Sequence, residues 1–145
     1  MTIKPVVESL CRKCDTRNPF EIARQKNIII LFESLGSVRG YYNFCFRKKF
    51  IHINDSLSEE QSLFTAAHEL GHAILHPKSN TPFLRAHTLF SVNKLETEAN
   101  RFAVNMLFSD SALAEYRDYT IDQLACIMGV PCDLAEYRMR NAHLK

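Results

Sequence analysis

Five residues give this chain its clearest chemical signal: the stretch His-Glu-Leu-Gly-His at positions 68–72. Two histidines four positions apart lie on one face of an α-helix, about 6 Å from each other, so His68 and His72 can bind one metal ion. A carboxylate at Glu69 then lies beside the ion without binding it, where it can accept a proton from water. The pattern predicts a hydrolytic metal site, and two helical histidines without a metal are the alternative interpretation.

A catalytic zinc ion, which is the cofactor we expect, needs a third protein ligand. His76 follows His68 by eight residues, about 12 Å along a straight helix, which is too far for both to share one ion with His72. We therefore expect His76 to support the site through a hydrogen bond near the end of the helix. Glu96, in the next helical segment, is the better candidate for an oxygen ligand.

The segment from about Leu95 to Phe108 has helical periodicity. One face of it carries small or polar side chains: Glu96, Ala99, Asn100 and Ala103. Small side chains would let this helix approach the helix of His68 closely, and Asn100, one turn after Glu96, would orient a ligand by a hydrogen bond. Glu98 lies about 200° away around the helix, so we expect it to be exposed to solvent.

The His68 motif lies inside an amphipathic segment. Ser58 and Gln61 have the spacing of a capping box, and apolar residues then recur at helical intervals. These signals predict a helix from about Glu59 to His76, ended by Pro77. The stretch from residue 78 to residue 91 is predicted to be a loop, and its length favours a functional role.

Strand-forming residues precede that helix. The apolar run from Ile28 to Phe32 predicts a buried strand. Two antiparallel strands are predicted between Gly36 and Asn54, on either side of a turn at residues 47–49. We place the strand around Ile51 near a sheet edge facing a groove, where it would hold an extended substrate by β-augmentation.

Helices are also expected at both ends of the chain. Cys11 and Cys14 fit one packed face of a first helix better than a metal or redox pair, and we expect Cys126 and Cys132 to be small core residues. Residues from about 110 to 145 are predicted to form two or three short helices. The predicted class is α+β, with a small antiparallel or mixed sheet packed against the motif helix and further helices.

Composition narrows the class of protein. With 145 residues and 16.7 kDa, the chain is expected to form a single domain over residues 1–145. Its 46% hydrophobic and 23% charged residues are typical of a soluble globular protein and exclude a disordered or fibrous one. A net charge of +2 is too small to attract nucleic acid or a membrane, and no apolar run approaches the roughly 18–20 residues of a membrane span. No secretory signal is recognisable, and five cysteines suit a reducing compartment, so we expect a cytoplasmic protein.

Two sequence segments together resemble the ImmA/IrrE family of zinc metallopeptidases: FTAAHELGHAILH and, after it, LETEANRFA. The segment FIHIND before them fits the same family, and the resemblance extends from about Ile28 to Phe108. It implies a minimal gluzincin-like metallopeptidase in which His68, His72 and Glu96 bind zinc and Glu69 is the catalytic base. Members often have Met-Pro after the second segment, and this chain departs from that pattern at residues 105–109.

The resemblance also implies a substrate class. Many members carry a DNA-binding helix-turn-helix at the N-terminus, and the chain before Ile28 is too short to contain one. The sequence is therefore similar to the stand-alone form found with mobile elements and phages. The implied partner is a protein substrate, a repressor or similar transcriptional regulator that is cleaved.

Two other functions are compatible with the sequence. One is a zinc-containing regulatory protein that binds a partner without cleaving it. The other is a helix-turn-helix protein whose C-terminal Arg138, Arg140 and Lys145 contact DNA phosphates, although Asp133 and Glu136 make that helix acidic, so we do not expect a nucleic-acid partner. Four residues are candidates to stabilise an oxyanion, and their spacing does not select among them: Tyr41, Tyr42, Arg85 and His87.

Overall fold

The computed structural model describes residues 2–78 and 89–144, with the side chains of residues 89–92 excepted. In these residues, seven helices accompany three strands. The helices are α1 (Ile3–Cys14), α2 (Pro19–Gln25), α3 (Glu59–Leu75), α4 (Leu89–Leu107), α5 (Asp110–Ala114), α6 (Ile121–Met128) and α7 (Cys132–Arg140). The strands are β1 (Ile29–Glu33), β2 (Gly40–Cys45) and β3 (Lys48–Asn54). The prediction of an α+β fold is confirmed.

The sheet is mixed and has the strand order β1-β3-β2. Strand β3 pairs in parallel with β1 and antiparallel with β2, so His52 lies between Leu31 and Tyr41. The prediction that the strand around Ile51 lies near an edge is therefore wrong. Its alternating pattern indicates only that one face of the strand is covered, and a central strand of a sheet covered on one face has the same pattern.

Strand β1 is not the buried strand that its apolar run predicts. Within the predicted run, Ile28 is buried just before β1 and Ile30 packs partly against the core, but Leu31 is 40% exposed and Phe32 56% exposed. Successive side chains of a strand point to opposite faces of the sheet, so a continuous apolar run must expose part of itself when helices cover one face. The buried residues of the sheet are on its neighbours, at Tyr42, Ile51 and Ile53.

Helices α3 and α4 pack closely at Gly71. A Cβ atom at this position would lie 3.0 Å from Cβ of Phe102, so Phe102 would have to move by a few tenths of an ångström to admit a side chain. The Ser58–Gln61 capping box forms as predicted, and α3 ends at Leu75, one residue before the predicted end. Helix α4 begins at Leu89, six residues earlier than predicted, because the Ser and Asn residues in this segment resemble a loop although a helix tolerates them. The rest of the predicted loop, residues 79–88, lies outside the described residues.

The C-terminal helices form a second apolar cluster against α4. Its buried members are Val104, Leu113, Leu124, Ala125, Met128, Leu134 and Ala135. Cys11 and Cys14 are buried as predicted, whereas Cys126 and Cys132 are exposed, contrary to prediction. Cys126 lies off the face of α6 that carries Leu124 and Met128, and Cys132 is the first residue of α7.

Arg138 is a structural residue. Its guanidinium is fully buried and donates to the carbonyl oxygen of Phe108 at 2.7 and 3.0 Å, and to Oδ1 of Asp110 at 2.7 Å. The helix-turn-helix alternative needs this side chain at the surface, so that part of the alternative is wrong. Among the described residues, no helix is long and apolar enough to cross a membrane.

Candidate metal centre

Helix α3 brings His68, Glu69 and His72 together in the interior. Potential ligand atoms of these three side chains lie within 4.8 Å of one another. His72 has no exposed surface and Glu69 is 2% exposed. The two imidazole rings meet edge to face, with 4.9 Å between their centroids. The i, i+4 spacing therefore produces the shared face that the sequence predicts.

Helix α4 places the carboxylate of Glu96 against both rings. Its Oε2 atom lies 2.9 Å from Nε2 of His68, and its Oε1 atom lies 3.1 Å from Nε2 of His72. Two nitrogens and one carboxylate thus converge from two helices, although Glu96 follows His72 by 24 residues in sequence. His68, His72 and Glu96 are the three residues that the sequence analysis selects as ligands.

The pKa values in this cluster reflect burial and mutual contact. Burial alone would raise the pKa of Glu96, but its hydrogen bonds with His68 and His72 hold that pKa well below its usual range. Burial opposes charge on both histidines. It lowers the pKa of His72, whereas the contacts of His68 with Glu96 and Glu69 outweigh burial and raise its pKa. The cluster therefore keeps a negative carboxylate facing two imidazoles.

The donor set fits a zinc ion. Two imidazole nitrogens and one carboxylate oxygen are a known ligand set of catalytic zinc sites. In a tetrahedral site with zinc–ligand bonds of about 2.0–2.1 Å, neighbouring ligand atoms lie about 3.3 Å apart. The observed Nε2 to oxygen distances of 2.9 and 3.1 Å are within a few tenths of an ångström of that value. Nδ1 of His68 lies 2.8 Å from Oδ1 of Asn100, so an N–H at Nδ1 donates to Asn100 and leaves the Nε2 lone pair for a metal.

His76 lies one turn beyond His72 and contacts a different residue. Its Nε2 atom is 3.2 Å from Oε1 of Glu98, and both side chains are nearly buried. The prediction that Glu98 is exposed to solvent is wrong. Helix α4 packs against α1, α3 and α7, so it buries more of its circumference than the single stripe assumed from the sequence.

A cavity of about 390 Å³ opens beside His68 and Glu69. Its opposite wall is the chain that leads into β2, residues 37–40. A Cβ atom at Gly40 would lie 2.6 Å from the carbonyl oxygen of His52 and 2.7 Å from Cγ2 of Thr65, so only glycine lets this edge of the sheet approach α3 so closely. No motif in the sequence distinguishes Gly40, so this role was not predicted.

Two of the four candidates for oxyanion stabilisation, Tyr41 and Tyr42, do not line the cavity beside Glu69. Tyr42 is buried, its hydroxyl donates to the carbonyl oxygen of Pro77, and burial raises its pKa to about 12. Tyr41 stacks on His52 with 4.1 Å between ring centroids. Arg85 and His87 lie outside the described residues.

Sequence comparison finds relatives over most of the chain. The peptidase M78 family, described as the IrrE N-terminal-like domain, matches residues 23–140. An uncharacterized immunity region protein 2 of Bacillus phage phi105 is 42% identical over 139 residues, which cover 94% of this chain and 88% of the relative. The metallopeptidase ImmA of Bacillus subtilis (strain 168) is 32% identical over 143 residues, which cover 94% and 83% of the two chains.

A solved structure supports the fold. A Mycobacterium tuberculosis transcriptional regulator superposes on 94% of this chain with a TM-score of 0.59 and 16% identity. The chain spans 46% of that protein, and the likeness is one of fold alone. The family match covers most of the chain and ImmA is related along nearly all of it, so this protein belongs to the peptidase M78 family of metallopeptidases.

Proposed function

We propose that this protein is a zinc-dependent endopeptidase in which His68, His72 and Glu96 hold the metal and Glu69 is the catalytic base. The observation that carries the proposal is the pairing of each Glu96 oxygen with Nε2 of a different histidine, at 2.9 and 3.1 Å. Asn100 orients His68 through Nδ1. His76 supports the end of α3 through Glu98.

Zinc in such a site supplies Lewis-acid activation of water and of the scissile carbonyl group. Glu69 lines the cavity, and its Oε2 atom lies 3.9 Å from Nε2 of His68. Its carboxylate accepts one proton from the attacking water as the new C–O bond forms. It then donates that proton to the leaving amine nitrogen as the C–N bond breaks.

The substrate binds along the edge of β2. Strand β3 is central and has partners on both sides, so it offers no edge. Within the described sheet β2 pairs only with β3, and its first residue, Gly40, lines the cavity beside Glu69. An extended peptide placed there would receive main-chain hydrogen bonds from β2 while its scissile bond faces Glu69.

The substrate class follows from the relatives. We propose a protein substrate, a repressor or similar regulator, because one relative is an immunity region protein of a phage and another is the metallopeptidase ImmA. A cytoplasmic location follows from that class of substrate. We also propose that residues 1–145 form a single domain, because α4 contributes Phe102 to the cluster beneath the sheet and Val104 to the C-terminal cluster.

The test compares the zinc-loaded protein with Glu69→Gln. A tryptic digest of bacterial protein with blocked amino termini serves as substrate, and newly formed amino termini are counted by mass spectrometry. We expect cleavage by the wild type and a loss of about 10²–10⁴-fold in Glu69→Gln, the usual contribution of a general base, with zinc content unchanged. Cleavage that persists in Glu69→Gln contradicts the role of Glu69. Peptides that bind to the wild type and stay intact would indicate a binding protein.

A further inference from the structure

A second cavity adjoins the one beside Glu69. It has a volume of about 410 Å³ and shares Arg39 and Phe64 with the first. Its remaining wall comes from the start of α3, from Asn100 and from the turn between α6 and α7 around Val130. Arg39 and Phe64 therefore lie between a cavity that contains the base and one bounded by the C-terminal helices.

The segment that presents Arg39 is held in place by a buried side chain. Asn54 donates from Nδ2 to the carbonyl oxygens of Gly36 at 2.9 Å and Val38 at 2.8 Å. Its backbone N–H donates to the carbonyl oxygen of Arg39 at 2.8 Å. Asn54 ends the central strand and is itself buried, so the position of the Arg39 backbone is fixed before any ligand binds.

The guanidinium of Arg39 is exposed and available. Within residues 2–78 and 93–144 it makes no hydrogen bond or ion pair. Two carboxylates line the same cavities, Glu69 in the first and Glu60 in the second, and neither forms an ion pair with it. Each cavity also has an apolar residue in its wall: Val38, which is 42% exposed, in the first and Val130 in the second.

This arrangement suits one class of substrate group. A guanidinium presents a planar fork of donors that matches a carboxylate, and pairing at the mouth of a cleft fixes the register of a bound peptide. A basic side chain at the same place would be repelled by Arg39. We propose that Arg39 is a specificity-determining residue that binds a carboxylate of the substrate, a few residues from the scissile bond, with an apolar side chain beside it against Val38 and Phe64. This inference rests on the proposed peptidase function.

Binding to Glu69→Gln tests the inference without requiring cleavage. The probes are four fluorescent pools of twelve-residue peptides, with Asp and Glu either present or replaced by Asn and Gln, and with the C-terminus either free or amidated. Fluorescence anisotropy measures the affinity of each pool for zinc-loaded Glu69→Gln. The same protein carrying Arg39→Glu is the test variant. Arg12→Glu, at an exposed position of α1, a helix that packs against helices and not against β2, is the matched control.

We expect peptides that carry the carboxylate bound by Arg39 to bind about fivefold more tightly than the matched peptides without it. This is the size expected of one solvated ion pair. Comparing Asp and Glu with Asn and Gln tests for a side-chain carboxylate, and comparing the free with the amidated C-terminus tests for the terminal carboxylate. Arg39→Glu should abolish or reverse the preference with zinc content unchanged, and Arg12→Glu should keep it. Equal affinity for all pools, a preference that survives Arg39→Glu, or no binding of any pool would overturn the proposal. Tight, Arg39-dependent binding without cleavage by the wild type would instead reject the peptidase function and leave the carboxylate site standing.

Discussion

The metal centre and the cavity wall opposite it are built in different ways. The metal centre lies between α3 and α4, where buried side chains converge on one point and Gly71 lets the helices touch. The opposite wall is the chain entering β2, which is exposed except at Gly40 and is held by Asn54. We propose that the two regions have separate roles: the helix pair holds the metal, and the sheet edge contacts the substrate. Changes in one region should therefore leave the other intact.

Of three changes that compare the two regions with the rest of the fold, the largest effect is expected inside the metal centre, at Asn100. Asn100→Ala removes the acceptor for Nδ1 of His68, and loss of such an orienting partner typically weakens metal affinity by about 10- to 100-fold. Competition for zinc with a chromophoric chelator measures the change. Asn93→Ala, at an exposed position of the same helix, is the control and should leave the affinity unchanged. Equal zinc affinity in Asn100→Ala and the wild type would show that the hydrogen bond does not orient His68.

A smaller effect, confined to the sheet edge, is expected for Gly40→Ala. The new methyl group meets a backbone oxygen and the Thr65 side chain at less than 3 Å, so the edge must shift away from α3. We expect the free energy of unfolding to fall by about 1–2 kcal/mol, as for other overpacked sites, and peptide cleavage to weaken while zinc affinity stays the same. Denaturant unfolding measures the first quantity, with Ser37→Ala as a neutral control in the same wall. A parallel loss of zinc affinity would contradict the independence of the two regions.

The smallest effect is expected away from both regions, where Asp110 joins α1 to the C-terminal part of the chain. Asp110 accepts hydrogen bonds from Lys4 and Arg138 and from the backbone N–H of His143, and these outweigh burial and hold its pKa well below the usual range. A carboxyl group whose pKa is lower in the folded state contributes stability above its unfolded pKa of about 3.9, and that contribution is lost as the pH falls further.

Asp110→Asn should therefore reduce the free energy of unfolding by about 1 kcal/mol at pH 7, and the difference from the wild type should shrink toward pH 2. Denaturant unfolding at the two pH values provides the measurement. Asp118→Asn, an exposed change in the same part of the chain, is the control. A deficit of the same size at both pH values would show that the ionised carboxylate is not the stabilising form.

The same contrast explains what the sequence could predict. The limits of α3 follow from the Ser58–Gln61 capping box and from periodicity, which are local signals, and the shared face of His68 and His72 follows from helix geometry alone. Glu96 could be predicted as a metal ligand because the small side chains on its helical face indicated a close contact with the helix of His68.

Long-range pairing decided the features that were predicted wrongly. Strand β3 is central because β1, an earlier segment of the chain, pairs with its second edge. Glu98 is buried because the end of α3, with His76, packs against it. The role proposed for Arg39 likewise depends on Asn54 and on the turn between α6 and α7, and neither carries a motif. Contacts across the fold thus determine the cavity wall, whereas two of the three proposed ligands, His68 and His72, lie one helical turn apart and only Glu96 comes from another helix.

Zinc content tests the central claim most directly. Purified wild-type protein and His72→Ala are compared by elemental analysis after dialysis, with near-ultraviolet circular dichroism to confirm that the variant is folded and with His143→Ala, an exposed histidine, as the control. We predict close to one zinc ion per chain in the wild type and in His143→Ala, and almost none in folded His72→Ala. Stoichiometric zinc in His72→Ala would contradict a metal centre formed by His68, His72 and Glu96.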